Sequence, residues 1–150
     1  MAENTKEQLN VALKEAMKNK DSDRRNIIRL LQSAIKQVEV DEQRELSEED
    51  VIDILQKEAK KRRESIDELT SAGREEQAAD EEYELAVIID FLPRQMTREE
   101  IEVMAKEAIE QTGASSPKEM GKVMGIMAPK TKGRADGKLV STIVRELLSQ

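Results

Sequence analysis

The sequence predicts an all-α protein with an N-terminal four-helix subdomain and a small C-terminal three-helix subdomain. Aromatic residues are almost absent, since the chain holds one Tyr, one Phe and no Trp. A core built from Leu, Ile, Val, Met and Ala suits helix packing better than sheet packing. Apolar residues also recur at intervals of three and four, in stretches bounded by residues typical of helix caps.

The first two helices are predicted over residues 5–19 and from Asp21 or Ser22 to the polar run 41–45. Asp and Ser are favoured N-caps, and they follow the end of the first apolar stripe. The first helix has a narrow stripe and the second a broad apolar face. The two sets are Leu9, Ala12, Leu13, Ala16 and Met17, and Ile27, Ile28, Leu30, Leu31, Ala34, Ile35 and Val38.

The third and fourth helices are predicted to meet at Gly73. Ser47 with Asp50 three residues later indicates a capping box at the start of the third helix, and Gly73 a C-cap at its end. The fourth helix is expected to run from Arg74 through an acidic first half into an apolar second half. Pro93 should stop it.

A boundary between subdomains is predicted after Pro93, giving subdomains of residues 1–94 and 97–150. Thr97, with Glu100 at the third helical position, begins a new helix directly after the proline. Charge also changes there, because residues 1–96 carry 16 basic and 24 acidic side chains whereas residues 97–150 carry 9 and 8. The C-terminal subdomain is therefore the better candidate for contact with an anion.

Three short helices are predicted in the C-terminal subdomain. They are expected over 98–112, ended by Gly113, over 117 to about 127, ended by Pro129, and over about 138–149. Ser116 as N-cap, Pro117 at the first position and Glu119 at the third mark the middle start. Asp136 is expected to cap the last helix.

Gly121 and Gly125 lie four residues apart and so share a face of the predicted middle helix. Each glycine costs about 1 kcal/mol relative to Ala in a helix, and this cost requires an explanation. The favoured interpretation is close packing against a neighbouring helix. Direct contact with a ligand is the alternative.

The main candidate site is a basic, glycine-containing segment in an otherwise acidic chain. Residues 117–138 carry a net charge of plus four although the whole chain carries minus seven. Local positive charge on an acidic protein is typical of a surface that contacts a polyanion, and glycines beside lysines favour phosphate. The candidate binding residues are Lys122, Lys130, Lys132, Gly133, Arg134 and Lys138.

A second basic run lies on the third helix and comprises Lys57, Lys60, Lys61, Arg62 and Arg63. Glu58, Glu64, Asp67 and Glu68 surround it at spacings that suit ion pairs along a helix. A solvated, self-neutralising face is the favoured interpretation. RNA contact is a secondary hypothesis.

Evidence for enzyme chemistry is thin, and no catalytic residue, metal site or cofactor is predicted. The chain has no Cys and no His, which excludes thiolate nucleophiles, His-based triads and the usual zinc ligands. Ser115, Ser116 and Tyr83 have no recognisable activating partner. The acidic run 75–82 is explained by its place at a helix start, and no P-loop is present.

No membrane contact is expected, and a cytoplasmic location is predicted. The sequence has no run of about 18 apolar residues. Its first ten residues have neither the apolar core of a signal peptide nor the Arg-rich character of a transit peptide.

The chain resembles the YqeY family in four segments. These are GKVMGIMAPKTKGRADGKLV, KEAKKRRESIDEL, AGREEQAADEE and FLPRQM. Proteins of this family are similar to the C-terminal tail region of the B subunit of the aspartyl/glutamyl-tRNA amidotransferase. The resemblance covers nearly the whole chain.

The resemblance implies a function without catalysis. In the amidotransferase the tail contacts the tRNA elbow, while ATP-dependent activation and amide transfer occur elsewhere. The leading hypothesis is therefore an accessory module that binds tRNA or a tRNA-bound complex. The alternatives are a protein-interaction module that docks a partner through the acidic N-terminal helices, and participation in a carbon–nitrogen ligase with glutamine as amide donor.

Overall fold

The structure, a computed structural model, describes residues 4–150 and confirms the all-α prediction. Residues 1–3, with which the predicted subdomain 1–94 begins, lie outside the described part. Seven α-helices and one short 3₁₀ helix, Pro117–Glu119, account for the regular structure of residues 4–150. The α-helices are α1 Thr5–Lys18, α2 Ser22–Glu42, α3 Glu48–Ser71, α4 Glu75–Ile89, α5 Arg98–Thr112, α6 Met120–Thr131 and α7 Gly137–Leu148.

Contacts divide the chain into two units, a first that ends at Leu92 and a second, Pro93–Gln150. The first unit contains α1 to α4 around a core of aliphatic side chains and one aromatic ring. Its fully buried members include Leu9, Ile28, Leu31, Val51, Leu55 and Ile88. The buried ring of Phe91 belongs to the same cluster. The second unit contains α5 to α7 around Ile101, Val123, Met127, Val140, Ile143 and Val144.

Local capping signals fix most helix ends where the sequence predicts them. Ser47 and Thr97 each accept a bond from the third backbone N–H of the following helix, and Asp50 and Glu100 complete the two capping boxes. Gly73 follows the end of α3 with φ +74°, and its N–H donates to the Thr70 carbonyl. The next N–H, of Arg74, reaches the Leu69 carbonyl at 2.8 Å, which completes a Schellman motif.

The fourth helix ends earlier than predicted. It was expected to continue to Leu92 and stop at Pro93, but α4 ends at Ile89. The N–H groups of Phe91 and Leu92 bond three residues back, to Ile88 and Ile89, each at 3.0 Å. A proline disfavours helical backbone at the residue before it. The chain therefore leaves the α-helix and forms a tighter turn before Pro93.

The sixth helix runs past the proline that was expected to end it. Pro129 lies inside α6, which continues to Thr131. The helix loses one backbone bond at Pro129, but Lys132 N–H still reaches the Ala128 carbonyl at 3.1 Å, and the buried Thr131 hydroxyl donates to Met127 at 3.0 Å. Burial of Val123, Met127 and Thr131 on one face supports the last turn in spite of the missing donor.

The predicted start of this helix at Pro117 also needs correction. Ser116, Pro117 and Glu119 occupy the expected positions, but they form a 3₁₀ turn, and α6 proper begins at Met120. Ser116 makes no side-chain cap bond. The segment is closed by Glu119, whose carboxylate accepts the backbone N–H of Ser115 at 2.6 Å.

None of the helices in the described chain combines the length and the apolarity that crossing a bilayer requires.

Candidate functional site

Six cations of the second unit lie on four consecutive segments of the chain, and we call them the basic surface. It consists of Lys118, Lys122, Lys130, Lys132, Arg134 and Lys138. Lys118 lies in the 3₁₀ turn, Lys122 and Lys130 on α6, Lys132 and Arg134 in the connection 132–136, and Lys138 in the first turn of α7. The connection is shorter than predicted, because Lys130 belongs to the helix and not to the loop.

Four lysines of this surface are exposed and have at most one weak ion pair within residues 4–150. Lys118, Lys130 and Lys138 are exposed, and no ion pair joins them to an acid of residues 4–150. The Lys122 side chain is 67% exposed, and its Nζ lies 3.9 Å from a Glu119 carboxylate oxygen. An exposed pair at that distance contributes little, so Lys122 keeps its ability to contact an anion.

Lys122 is set apart from the others along α6. Eight residues separate it from Lys130, which corresponds to about 12 Å along a helix axis. Lys130, Lys132 and Lys138 belong to the corner where α6 turns into α7. The basic surface therefore has a group of cations at the corner of α6 and α7, and it extends from there along α6 to Lys122.

Arg134 differs from its neighbours in its surroundings. It is half-buried and lines a groove together with Met96, Val103 and Met104 and the acids Glu99, Glu100 and Glu107. These carboxylates lower the positive potential at the guanidinium. Arg134 thus shares its groove with three carboxylates of α5.

The corner is held by two residues that sequence analysis missed as part of the site. The Gln95 side-chain amide donates to the Gly133 carbonyl at 2.9 Å and to the Pro93 carbonyl at 2.8 Å. The Met96 N–H donates to the Arg134 carbonyl at 2.8 Å. Both residues lie in the FLPRQM segment, which from the sequence alone indicates a boundary and a family resemblance but no contact with the loop after α6.

The backbone of the connection 132–136 turns at Gly133. It is buried and has φ +75°, in the left-handed region that favours glycine. The N–H groups of Arg134 and Ala135 on its far side both return to the Thr131 carbonyl, at 2.8 and 3.0 Å. Gly133 therefore has a backbone role and offers no side chain to a ligand.

The expected packing role of Gly121 and Gly125 is wrong. Both glycines are exposed, and a Cβ added at either position would meet no atom within 4 Å beyond its chain neighbours and the backbone of its own helix. The buried face of α6 carries Val123 and Met127 instead. The glycines lie on the opposite, open side of the helix, next to Lys122.

Asp136 occupies the N-cap position of α7 as predicted, but its carboxylate makes no cap hydrogen bond. The first-turn N–H groups of α7 therefore have no side-chain cap within the described chain. Ser115, for which the sequence offers no activating partner, donates through its N–H and hydroxyl to Glu119. The Ser115 backbone bond lowers the pKa of Glu119, which makes this carboxylate a weaker base and suits a turn-closing role.

The second basic run is only partly the solvated face that its spacing indicated. Lys61 and Arg62 pair with Glu58 on α3, at 3.3 and 2.7 Å, as helical spacing predicts. However, the Arg62 side chain is only 11% exposed, and its Nε lies 3.3 Å from Glu84 on α4. Arg62 thus joins α3 to α4, and it does not belong to a basic surface. Lys57 and Lys60 are exposed, and Arg63 is half-buried.

Within residues 4–150, no group of three or more acidic side chains is placed to hold a metal ion, and this includes the acidic run on α4.

Fold and site together define a small helical protein of two units with a basic surface on the second unit. The family model described as YqeY-like protein matches residues 6–148, so the chain belongs to the YqeY family. A search of curated proteins finds no match.

Proposed function

We propose that this protein is a non-catalytic accessory module that binds tRNA, or a complex containing tRNA, through the basic surface. The observation that carries the proposal is a group of exposed lysines: Lys130 and Lys138 at the corner of α6 and α7, and Lys122 on α6, whose ion pair with Glu119 at 3.9 Å is weak. The protein as a whole has a net charge of minus seven, so this local positive charge is not a by-product of a basic composition.

The open glycine face of α6 supports contact with a nucleic-acid backbone. Gly121 and Gly125 remove side-chain bulk from the exposed side of the helix between Lys118 and Lys130. A sugar–phosphate backbone can approach such a surface closely while neighbouring lysines reach its phosphates. This explains glycines that helix stability alone disfavours.

Recognition is expected to depend on shape and phosphate rather than on bases. The second unit, Pro93–Gln150, contains no aromatic residue on which an unpaired base could stack. Folded double-helical RNA is contacted mainly through phosphates and riboses. A tRNA offers such an outline.

The resemblance to the amidotransferase tail supports tRNA as the partner and defines what the chain is not expected to do alone. Amide transfer belongs to other parts of that enzyme. We expect no glutamine-dependent amidation of misacylated tRNA by this chain alone, and participation in a carbon–nitrogen ligase would require further subunits.

The test is binding to bulk tRNA over a range of salt concentrations. About five phosphate contacts predict a slope of roughly minus three to minus five for log affinity against log salt. The Lys122→Glu, Lys130→Glu, Lys138→Glu variant changes three exposed side chains of the basic surface. We expect its affinity to fall at least about tenfold and its slope to become shallower by about two to three.

The matched control is Lys14→Glu, Lys36→Glu, Lys106→Glu, which has the same net charge and changes three exposed lysines outside the basic surface. It should retain the slope of the unmodified protein. If both variants lose tRNA affinity equally, the loss reflects the net charge of the protein and not the basic surface. Absence of tRNA binding by the unmodified protein would refute the proposal.

A further inference from the structure

A groove between α2 and α4 in the first unit has no role in the proposed RNA contact. It has a volume of about 460 Å³ and is lined by Asp23, Asn26, Ile27 and Leu30 of α2 and by Asp80, Tyr83 and Glu84 of α4. Both helices belong to the same unit, so the groove is a feature of one packed body.

The groove exposes apolar side chains that the core does not need. Leu30 is 41% exposed and Tyr83 is 43% exposed, and both are among the few large apolar side chains that remain accessible. Tyr83 is the single tyrosine of the chain. Tyrosine is enriched at protein interfaces because its ring buries area while its hydroxyl stays hydrated.

The rim of the groove is acidic. Asp23 and Asp80 are exposed, and neither forms an ion pair with a cation of residues 4–150. Glu84 faces Arg62 at 3.3 Å, but that guanidinium is shared with Glu58 at 2.7 Å. The pKa of Tyr83 is raised, first by burial and then by the charges of Asp21 and Asp23.

Two arginines of α2 lie close to the groove without lining it, and one of them pairs with an acid outside it. Arg24 pairs with Asp90 at 3.1 Å and lies over the Phe91 ring, 5.7 Å from its centroid. It still lowers the Tyr83 pKa in part. Arg25 donates to the Asn26 side-chain oxygen at 3.3 Å. The residues that line the groove include three acids and no cation, so the rim is negative above an apolar floor.

We propose that this groove docks a segment of another protein that presents an apolar side chain flanked by Lys or Arg. The apolar side chain would cover Leu30 and Tyr83, and its basic neighbours would pair with Asp23 and Asp80. A groove of about 460 Å³ accommodates a few side chains, which fits a short helical segment and not a whole domain face. Charge complementarity selects a basic segment over an acidic one.

The chain provides its own reporter for the test. Because Tyr83 is the only tyrosine and no tryptophan is present, tyrosine emission arises from the groove. The probe is a capped synthetic helical peptide without aromatic residues, with Leu at i and i+4 and Lys beside each Leu. Titration should change the Tyr83 emission saturably. The same peptide with Glu in place of Lys should bind at least about tenfold more weakly.

Two variants of the protein separate docking from general charge attraction. Asp23→Asn with Asp80→Asn should weaken binding of the basic peptide at least about fivefold. The matched control, Asp41→Asn with Asp67→Asn, makes the same charge change at exposed positions outside the groove and should bind as the unmodified protein does. Circular dichroism verifies that all variants are folded.

Three results would overturn the proposal. They are no change in emission with the basic peptide, equal binding of the Lys and Glu peptides, and equal weakening in both double variants. Sedimentation of the protein alone adds a fourth, since self-association lost only in the Asp23, Asp80 variant would identify a second copy as the occupant. Because the groove and the basic surface lie in different units, failure of tRNA binding would leave these measurements unaffected.

Discussion

The side-chain amide of Gln95 donates to the carbonyl of Gly133 at 2.9 Å and so joins the start of the second unit to the connection between α6 and α7. The Met96 N–H adds a second bond to the same connection, at the Arg134 carbonyl. Lys132 and Arg134 flank Gly133, so these two bonds fix the backbone from which the corner of the basic surface projects.

Replacing Gln95 by Ala should loosen the corner of α6 and α7. The change removes bonds to Pro93 and Gly133, and a typical net value of about 1 kcal/mol per hydrogen bond predicts a loss of roughly 1 to 2 kcal/mol. Hydrogen exchange measured on peptides of residues 93–150 is the suitable readout, because this unit has no aromatic reporter.

Gln111→Ala is the matched control for this change. Gln111 is exposed on α5 of the same unit. The control should leave exchange in the connection 132–136 unchanged. Faster exchange there in both variants, or in neither, would contradict the positioning role of Gln95.

The sequence was sufficient where structure depends on neighbours in the chain and insufficient where it depends on distant contacts. Ser47, Thr97 and Gly113 marked helix ends correctly because caps are made within a few residues. Pro129 predicts a helix end from sequence alone, because the burial of Thr131 depends on contacts with distant residues. Gly121 and Gly125 were assigned to packing because a pattern does not say which face is buried.

The same limit applies to the cations. The pairing of Lys61 with Glu58 follows from helical spacing, whereas the contact of Arg62 with Glu84 joins two helices and has no signal in the spacing. Clustering of lysines near α7 is visible in the sequence. Screening of Arg134 by acids of α5 is visible only in the fold.

Glu100 should make the second unit sensitive to acid. The Arg94 hydrogen bond, followed by the Thr97 backbone bond, lowers the pKa of Glu100 from its ordinary 4.5 to about 2. A carboxyl with a lowered folded pKa stabilises the fold above its unfolded pKa, and this contribution is lost as pH falls towards the folded value. Urea denaturation should therefore show a stability gap between the unmodified protein and Glu100→Gln at about pH 6 that narrows towards about pH 2.

Glu110→Gln serves as the control for the acid effect. Glu110 is exposed on α5 and takes part in no ion pair within the described residues. The free energy of unfolding of this variant should differ little from that of the unmodified protein at every pH. A constant gap for Glu100→Gln across the same range would show that its charge does not stabilise the fold.

Arg62→Ala should destabilise the first unit far more than Lys61→Ala. Arg62 is 11% exposed and faces Glu58, Glu81 and Glu84, so its loss leaves Glu81 and Glu84 without a cation and Glu58 with Lys61 alone. Burial, and then the charge of Glu84, already raises the pKa of Glu81. Removing one partner of a buried pair costs about 3 to 5 kcal/mol, and partial exposure of these acids reduces our expectation to roughly 2 kcal/mol.

Lys61 provides the comparison because it binds the same Glu58 from a side chain that is 68% exposed. Its replacement by Ala should change stability by less than about 0.5 kcal/mol. Denaturation followed by Tyr83 emission reports on this unit in both variants. Equal effects would mean that Arg62 is no more important to the contact of α3 with α4 than a surface lysine.

The open glycine face of α6 predicts opposite effects on stability and on RNA binding. Gly125→Ala adds a methyl group that meets nothing within 4 Å, and it should stabilise the helix by about 0.5 to 1 kcal/mol. Gly133→Ala is the counterpart, because φ +75° strains an alanine and should destabilise the protein by about 1 kcal/mol.

If the glycine face admits an RNA backbone, Gly125→Leu should weaken tRNA binding more than Gly125→Ala, although both remain folded. Thermal unfolding and tRNA titration on these variants give the two measurements. If the Gly125→Leu variant binds tRNA as tightly as the unmodified protein, the exposed glycine face of α6 does not contact RNA. The interface would then be limited to the corner of α6 and α7.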